Sequence, residues 1–570
     1  MPAPADRQPG DPHPRTAAVR RSAASTVASL FAMRARLHPA KPALEDGARR
    51  YSYGEFDERT RRLASVLAAR GIGRGSRIGI LSENRLEYLE LFIAAARLGA
   101  IAACQNWRLT APELAHCIGL VEPRVVLVSP RHEEKLRSLD RRDAQAASPQ
   151  ATSARATDAQ TPDARATVAQ PTAAQPTAAH AADFETIVLG APYEALLASA
   201  APQLQPAEVD PEDPLLILYT SGTTGLPKGA VISHRAEVAR NLVLSAEFGL
   251  GSDDTFVAWP PLYHMGAAEF SLGTLMSGGK VIVVDGFDRA ALARIVATER
   301  LGWLLLMPGM VGAFAAELRR SAVRPAGVKV CGVMADLVPP PEIADITALL
   351  GAPYANTFGA TETGCPPCSS NLIPAGLAPA RLSKEQSPFC EVRLVDEQDR
   401  EVPDGAPGEL CMRGPTLFSG YWRAAEATAH DFRGGWFHMG DVFVRNPDGT
   451  LDFVDRVKYM IKSGGENIYP AEIERVLLQD PRVADAAVVR CPDRKWGEVP
   501  IAFVARRDQS LTEGDLDALC RAQLAGFKRP QEFRFIAFEA FPRSASGKIQ
   551  RHLLEKLLAD PGARGAPGIR

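Results

Sequence analysis

Residues 215–229 read LLILYTSGTTGLPKG. Leu215 to Tyr219 is a short continuous apolar run, the pattern of a strand buried on both faces. It passes into Thr220, Ser221, Gly222, Thr223, Thr224, Gly225, Leu226, Pro227, Lys228 and Gly229. Such a turn offers hydroxyl and unhindered backbone N–H donors, close approach at its glycines, one ammonium and no negative charge. Those are the requirements of a polyphosphate ligand. It is not a Walker A sequence, because Lys228 is followed by Gly229 rather than Ser or Thr and the glycine spacing differs.

Outward from this strand, short apolar runs alternate with amphipathic stretches. Ser76 to Leu81 precedes a helix through Tyr88 to Leu98, and Val125 to Val128 follows. Lys280 to Val284, Trp303 to Met307 and Val328 to Val333 repeat the pattern, with a helical stretch at Arg289 to Thr298. Strands of this kind separated by helices predict an α/β fold, doubly wound, with both sheet faces covered. After Asp455 the style changes to a smaller α+β region. Pro470 suits the first position of a helix, and strands are expected at Ala484 to Val489 and Val499 to Ala505.

A chain of 570 residues exceeds what one core organises, so at least two domains are expected. The formal charge is -2, from 65 basic and 67 acidic side chains, so no global field selects nucleic acid or an anionic membrane. Nine cysteines without a disulfide-framework spacing fit reduced thiols and a cytoplasmic setting. Cys365 and Cys368 form a CxxC around Pro366-Pro367, but no second pair or nearby His completes a zinc set, so two buried thiols are expected. The leader lacks the apolar core of a secretory signal, and no stretch reads as a membrane span. Between Ala144 and Asp183 the chain is Ala, Thr, Gln and Pro, with QPTAA in tandem from Gln170 to Ala179, a composition too poor in large apolar groups to order itself. The resulting division is a leader at 1–25, a large domain at 26–456 with an insertion at 144–183, a small domain at 457–558 and a tail at 559–570.

YTSGTTGLPKG resembles the phosphate loop of the acyl-adenylate-forming superfamily, which includes acyl-CoA synthetases, firefly luciferases and nonribosomal adenylation domains. Further motifs follow in the superfamily's order, from near Val27 to near Leu557 apart from the insertion. The resemblance implies a large N-terminal domain with mixed sheets and a small β-barrel-like subdomain, followed by a small mobile α+β domain. Asn356-Thr357-Phe358-Gly359-Ala360-Thr361-Glu362 resembles its aromatic-Gly-x-Thr-Glu motif. There Glu362 would hold Mg²⁺ on the ATP phosphates, Thr361 would touch the α-phosphate, and Phe358, where Tyr is common, would pack on adenine beside Asn356 and Thr357. An oxygen ligand suits hard Mg²⁺, and an aromatic ring gives a stacking face.

Trp436-Phe437-His438-Met439-Gly440-Asp441 resembles the W-x-x-T-G-D segment, which makes Asp441 the acceptor for both ribose hydroxyls. Met439 replaces the usual Thr, and His438 is read as local structure rather than a base. Asp455 to Pro470 resembles the hinge and thiolation loop. By that likeness Arg456 meets ribose or phosphate, Lys458 takes the hinge position, Tyr459 stands where Asp is frequent, and Ser463, Gly464, Gly465 and Glu466 approach the pantetheine channel. Pro542 to Arg551 matches the terminal lysine motif, with Lys548 in the catalytic position. A carboxylate attacking a phosphate faces like charge: two unit charges about 4 Å apart repel by about 4 kcal/mol at an effective dielectric of about 20. One ammonium can bridge them.

The implied reaction is that of an ATP-dependent, AMP-forming acid-thiol ligase with Mg²⁺ and coenzyme A, using Lys548, Thr361 and Glu362 catalytically. The acid would lie against His264, Val333, Met334 and Ala335. Val333 and Met334 stand where many members have Gly or Ala, which favours a medium-chain, branched or cyclic acid over a very long one. Coenzyme A is the expected acceptor because the sequence ends near Arg570 without a carrier domain. Loading of a separate carrier protein, a non-catalytic acyl or nucleotide sensor, and oxidative use of the adenylate stay open as alternatives, as does a homodimer. A lysine acetyltransferase acting at Lys548 would cancel its charge and switch the enzyme off.

Overall fold

A computed structural model describes residues 24–146, 184–202, 207–221, 226–464, 466–543 and 549–559. The expected leader at 1–25, insertion at 144–183 and tail at 559–570 lie almost wholly outside the described residues, although the helix Glu133–Ala146 reaches the insertion's first positions. The chain is mixed α/β, a large N-terminal domain followed by a smaller one. The quoted apolar run forms β1, Pro214–Ser221, and Pro227–Ser233 forms β2. They close one edge of a six-stranded sheet whose other strands are Glu185–Val188, Val125–Val128, Arg77–Leu81 and Ile101–Gln105. All neighbours run parallel up to β1, whereas β1 and β2 are antiparallel. The polar turn therefore sits at a hairpin tip instead of between a strand and a helix. Pro227, which has no N–H to give, opens the edge strand, where the missing donor is tolerated.

β2 leads directly into helix α1, His234–Phe248, capped by the Ser233 hydroxyl, which accepts from the Ala236 N–H. A second, eight-stranded sheet contains Thr255–Ala258, Lys280–Val283, Leu301–Leu304 and Val328–Cys331 as parallel neighbours in its interior. Helix α2, Met265–Ser277, precedes the second of these. Two strands end earlier than their hydrophobic runs. Leu305 and Leu306 stay buried beyond the strand end, and after Cys331 the backbone turns left-handed at Gly332, φ 76°. Every residue of the helix Glu87–Leu98 is buried, and its apolar side chains share one core with residues of both sheets. Its buried Glu87 pairs with Arg49 and Arg85, and Glu90 with Arg59, so no carboxylate on that helix is left uncompensated.

The expected barrel-like subdomain is a four-stranded antiparallel meander of Glu391–Val395, then β3, Pro407–Arg413, β4, Phe437–Arg445, and β5, Leu451–Arg456. From Ile461 onwards a separate five-stranded sheet forms, with helix α3, Pro470–Leu477, packed in its own core. Pro470 occupies the first turn of that helix, where its missing N–H costs nothing. Strands here run Val483–Asp493 and Gly497–Arg506, longer at both ends than the apolar runs suggest because they pair as a single continuous hairpin.

Candidate active site

The hairpin aligns Thr220 with Lys228 and Ser221 with Pro227; the tip residues Gly222, Thr223, Thr224 and Gly225 lie outside the described residues. The free side of β2 is strapped by residues 419–422. Val231 N–H donates to Gly420 O at 3.0 Å, Ser419 N–H to Val231 O at 2.8 Å and Trp422 N–H to Gly229 O at 2.8 Å. The strap delivers Tyr421 to the site. Its ring centroid lies 4.7 Å from the Lys228 ammonium, and its hydroxyl donates to Glu362 Oε1 at 3.0 Å. One ring thus connects the base of the polar turn to the carboxylate expected at the metal. Burial raises the Glu362 pKa, while the Tyr421 hydrogen bond and the charges of Arg456 and Arg240 oppose the rise.

Glu362 lies in a turn that closes a short hairpin, Phe358–Ala360 with Gly364–Cys368. Thr363 pins the turn by accepting from Ala360 N–H at 2.9 Å. A Cβ at Gly359 would sit 2.0 Å from Gly364 O, so only glycine fits there. Thr361 and Glu362 are half-buried at the turn. The Phe358 ring stacks on Phe453 at 5.4 Å and meets Phe443 edge-on at 4.8 Å, which locks it without a hydroxyl. Thr357 is buried. Asn356 is also buried and its amide is fully used: Nδ2 donates to Leu382 O and Ser383 O, and Oδ1 accepts from Lys384 Nζ at 2.6 Å. Lys384, itself fully buried, also reaches Asp336 Oδ2 at 2.6 Å. Cys365 and Cys368 are buried, and burial raises both thiols, Cys368 to about 12.

Asp441 on β4 and Arg456 at the end of β5 are directly paired residues, with Nε 3.0 Å from Oδ1. The neighbouring Asp455 accepts from the N–H of Ala471 at 2.7 Å, so its carboxylate caps the start of α3. Between them, Lys458 lies in a single helical turn, Val457–Tyr459, with its ammonium 4.9 Å from the Tyr459 ring. Arg551 also faces that ring, at 4.5 Å, and pairs with Glu474. His438 is buried, its Nδ1 3.0 Å from Glu409 Oε2 and 3.2 Å from Cys411 Sγ. Ser463 is buried and opposite Glu466, which is exposed. Gly464 has φ 59°, and a Cβ there would meet the Trp496 ring at 2.8 Å. Gly465 and Lys548 lie outside the described residues.

Among the residues expected to meet the acid, His264 is the N-cap of α2, its ring 4.6 Å from that of Tyr263. Gly332 is required because a Cβ would lie 2.1 Å from the Tyr354 ring, whose hydroxyl donates to Val333 O at 3.0 Å. Met334 is forced into the left-handed region, φ 49° and ψ 55°, before the buried Ala335. Sequence reading missed Tyr421, Lys384, Trp496 and Arg240. Of these only Tyr421 had a readable signal, the aromatic pair Tyr421-Trp422 directly after Gly420; the others acquire their partners through tertiary contacts.

Residues 31–422 match the AMP-binding enzyme family, and residues 472–548 match the AMP-binding enzyme C-terminal domain. The chain is an AMP-binding enzyme. This AMP-binding enzyme is 32% identical to the indoleacetate–CoA ligase of Aromatoleum aromaticum over 539 residues, which covers 92% of the chain and 96% of the relative. It is 33% identical to a feruloyl-CoA synthase of Amycolatopsis over 529 residues, covering 90% and 96%. Its fold matches that of ATP-bound MatB from Rhodopseudomonas palustris with a TM-score of 0.75 and 26% identity, over 94% of this chain and 99% of that one. No helix among the described residues is long and apolar enough to cross a membrane.

Proposed function

We propose that this AMP-binding enzyme joins a carboxylic acid to coenzyme A through an acyl-adenylate, and that the acid is medium-sized and branched or cyclic, including aryl-substituted acids. The observation that carries the reading is the Lys228–Tyr421–Glu362 contact, which sets the base of a donor-rich hairpin tip beside a carboxylate. The indoleacetate and feruloyl substrates of the two relatives support the cyclic end of the range, and so does the bulk of Val333 and Met334.

In the first half-reaction a carboxylate oxygen of the acid forms a bond to the α-phosphorus of ATP as the bond to the pyrophosphate oxygen breaks. Lys228 and the loop N–H groups hold the phosphates, Asp441 accepts from the ribose hydroxyls while Arg456 fixes its orientation, and Lys548 offsets the repulsion between the reacting anions. Glu362 fits a hard divalent cation: it is half-buried, one oxygen is oriented by a neutral donor, and Mg²⁺ held there would neutralise phosphate charge. In the second half-reaction the thiol sulfur of coenzyme A attacks the acyl carbon, AMP leaves, and the thiol proton passes to solvent. The domain boundary near Lys458 acts as the hinge that exchanges Lys548 for the Ser463 to Glu466 loop.

The test is a panel of indole, hydroxycinnamic, alicyclic, medium-chain and long-chain acids, scored by coenzyme A-dependent AMP and by the mass of the thioester. If none of the acids supports AMP formation the reading is rejected, and highest kcat/KM for a long-chain acid rejects the substrate class. A carrier protein as competing acceptor separates the two thiol partners. Lys548→Ala is expected to abolish acid-dependent pyrophosphate exchange while sparing thioester formation from supplied acyl-AMP.

A further inference from the structure

We infer that Arg240 is a positioning residue for ATP, anchoring the Thr361–Glu362 turn to helix α2. The inference rests on the reading of Thr361 and Glu362 as the groups that meet phosphate and cation.

Arg240 lies on the buried face of α1, its side chain only 3% exposed. The guanidinium joins three separate segments. Nε donates to Thr416 O at 2.8 Å, Nη2 to Thr361 O at 3.2 Å, and Nη1 to Glu269 Oε1 on α2. A planar fork with five donors can hold three such acceptors in one fixed geometry, which neither an ammonium nor an amide can do. The backbone of the turn also rests on the arginine stem: Gly364 has φ 77°, and a Cβ there would lie 2.8 Å from Arg240 Cδ. Arg240 thus ties the Thr361 backbone to α2, the helix capped by His264.

Stability alone does not account for this arrangement. Burying an arginine with a carboxylate gains little over a well-packed apolar pair, because desolvation offsets the attraction. The surroundings are unfavourable as well. Glu237, also on α1, is fully buried with neither carboxyl oxygen hydrogen-bonded among the described residues. Burial raises the pKa of both Glu237 and Glu269, against the opposing charge of Arg240. What an apolar pair could not supply is the pair of donors on Thr416 O and Thr361 O. Those contacts place the guanidinium directly behind the residue expected at the α-phosphate.

The test uses the full chain with two variants. Arg240→Lys keeps a cation for Glu269 but cannot span all three acceptors. Arg240→Gln with Glu269→Gln removes both charges and keeps polar contact between the helices. The readings are the Kd of a fluorescent mant-ATP probe with Mg²⁺, the KM values for ATP and for the acid, and the melting temperature. Both variants are expected to bind mant-ATP about tenfold more weakly and to raise the KM for ATP about tenfold, with the acid KM changed less than about threefold. A folded variant with unchanged mant-ATP affinity overturns the inference, as does an equal rise in both KM values. If Arg240→Lys melts below the assay temperature, the double variant decides by the same readings. Failure of the ligase reading looks different: the unaltered protein would release no AMP with any acid, while the mant-ATP comparison would still give its own answer.

Discussion

Asp441 and Arg456 face each other across two adjacent antiparallel strands, Nε 3.0 Å from Oδ1, so the carboxylate expected at the ribose is oriented by a cation fixed in the same ladder. A buried, charge-oriented acceptor binds a vicinal diol better than an amide does. Asp441→Asn is expected to raise the KM for ATP by about tenfold to a hundredfold, with a smaller effect on the acid KM. Initial-rate kinetics with ATP as the varied substrate provide the check.

The Tyr421 hydrogen bond opposes the rise in the Glu362 pKa that burial causes. Removing it in Tyr421→Phe leaves burial less opposed, so the carboxyl protonates at higher pH. The carboxylate is the form that meets a cation, and the acidic limb of the kcat/KM profile is expected to move upward. The same profile run at several Mg²⁺ concentrations attributes the shift to Glu362, since more Mg²⁺ should draw the limb back down.

Met334 holds a left-handed backbone conformation, which costs a non-glycine residue about 1 kcal/mol or more. Met334→Gly relieves that strain while losing partial burial, so stability is expected to change by less than about 1 kcal/mol. Specificity should change much more, with kcat/KM for longer or bulkier acids rising about tenfold relative to the best small cyclic acid. Urea denaturation and the acid panel measure the two effects separately.

His234 is buried, accepts from the Val27 N–H through Nδ1, and has its pKa lowered by burial from 6.5 to about 4. Below pH 6.5 the unfolded chain takes up a proton that the folded protein refuses until about pH 4. Stability from the neutral ring is thus present above 6.5 and declines as pH falls to about 4, by at most about 3 kcal/mol. His234→Gln keeps an acceptor for Val27 but does not titrate, so its melting temperature should fall less steeply across that window. Parallel slopes for the two proteins would contradict the assignment.

Much of this architecture was legible because its signals are local. Val125 to Val128 and Arg289 to Thr298 read correctly since continuous apolar strands and a 3.6-residue period need no distant information. Pro470 marked the start of α3 for the same reason. β2 was not legible as a strand: Pro-Lys-Gly opens it, and its pairing with β1 is set by the return of the chain after the turn. Asn356 shows the same limit within the site. Its motif gives a position beside adenine, but the amide is committed to Lys384, Leu382 and Ser383, partners some 30 residues away that no periodicity announces. Tyr421 and Arg240 join segments separated by 59 and 121 residues, and only the folded chain reveals such links.

Both described flanks of the donor-rich turn are strands, one ending at Ser221 and the other beginning at Pro227, so neither flank is a helix whose aligned peptide dipoles could be aimed at phosphate. On the proposed reading, an anion held there would depend on side chains as much as on backbone, among them the Lys228 ammonium over the Tyr421 ring. An attraction assembled from separate side chains can be weakened a part at a time, so nucleotide affinity in this enzyme should be graded by substitutions at Lys228, Tyr421 and Thr220, whereas a dipole built into the backbone would have been beyond the reach of side-chain change.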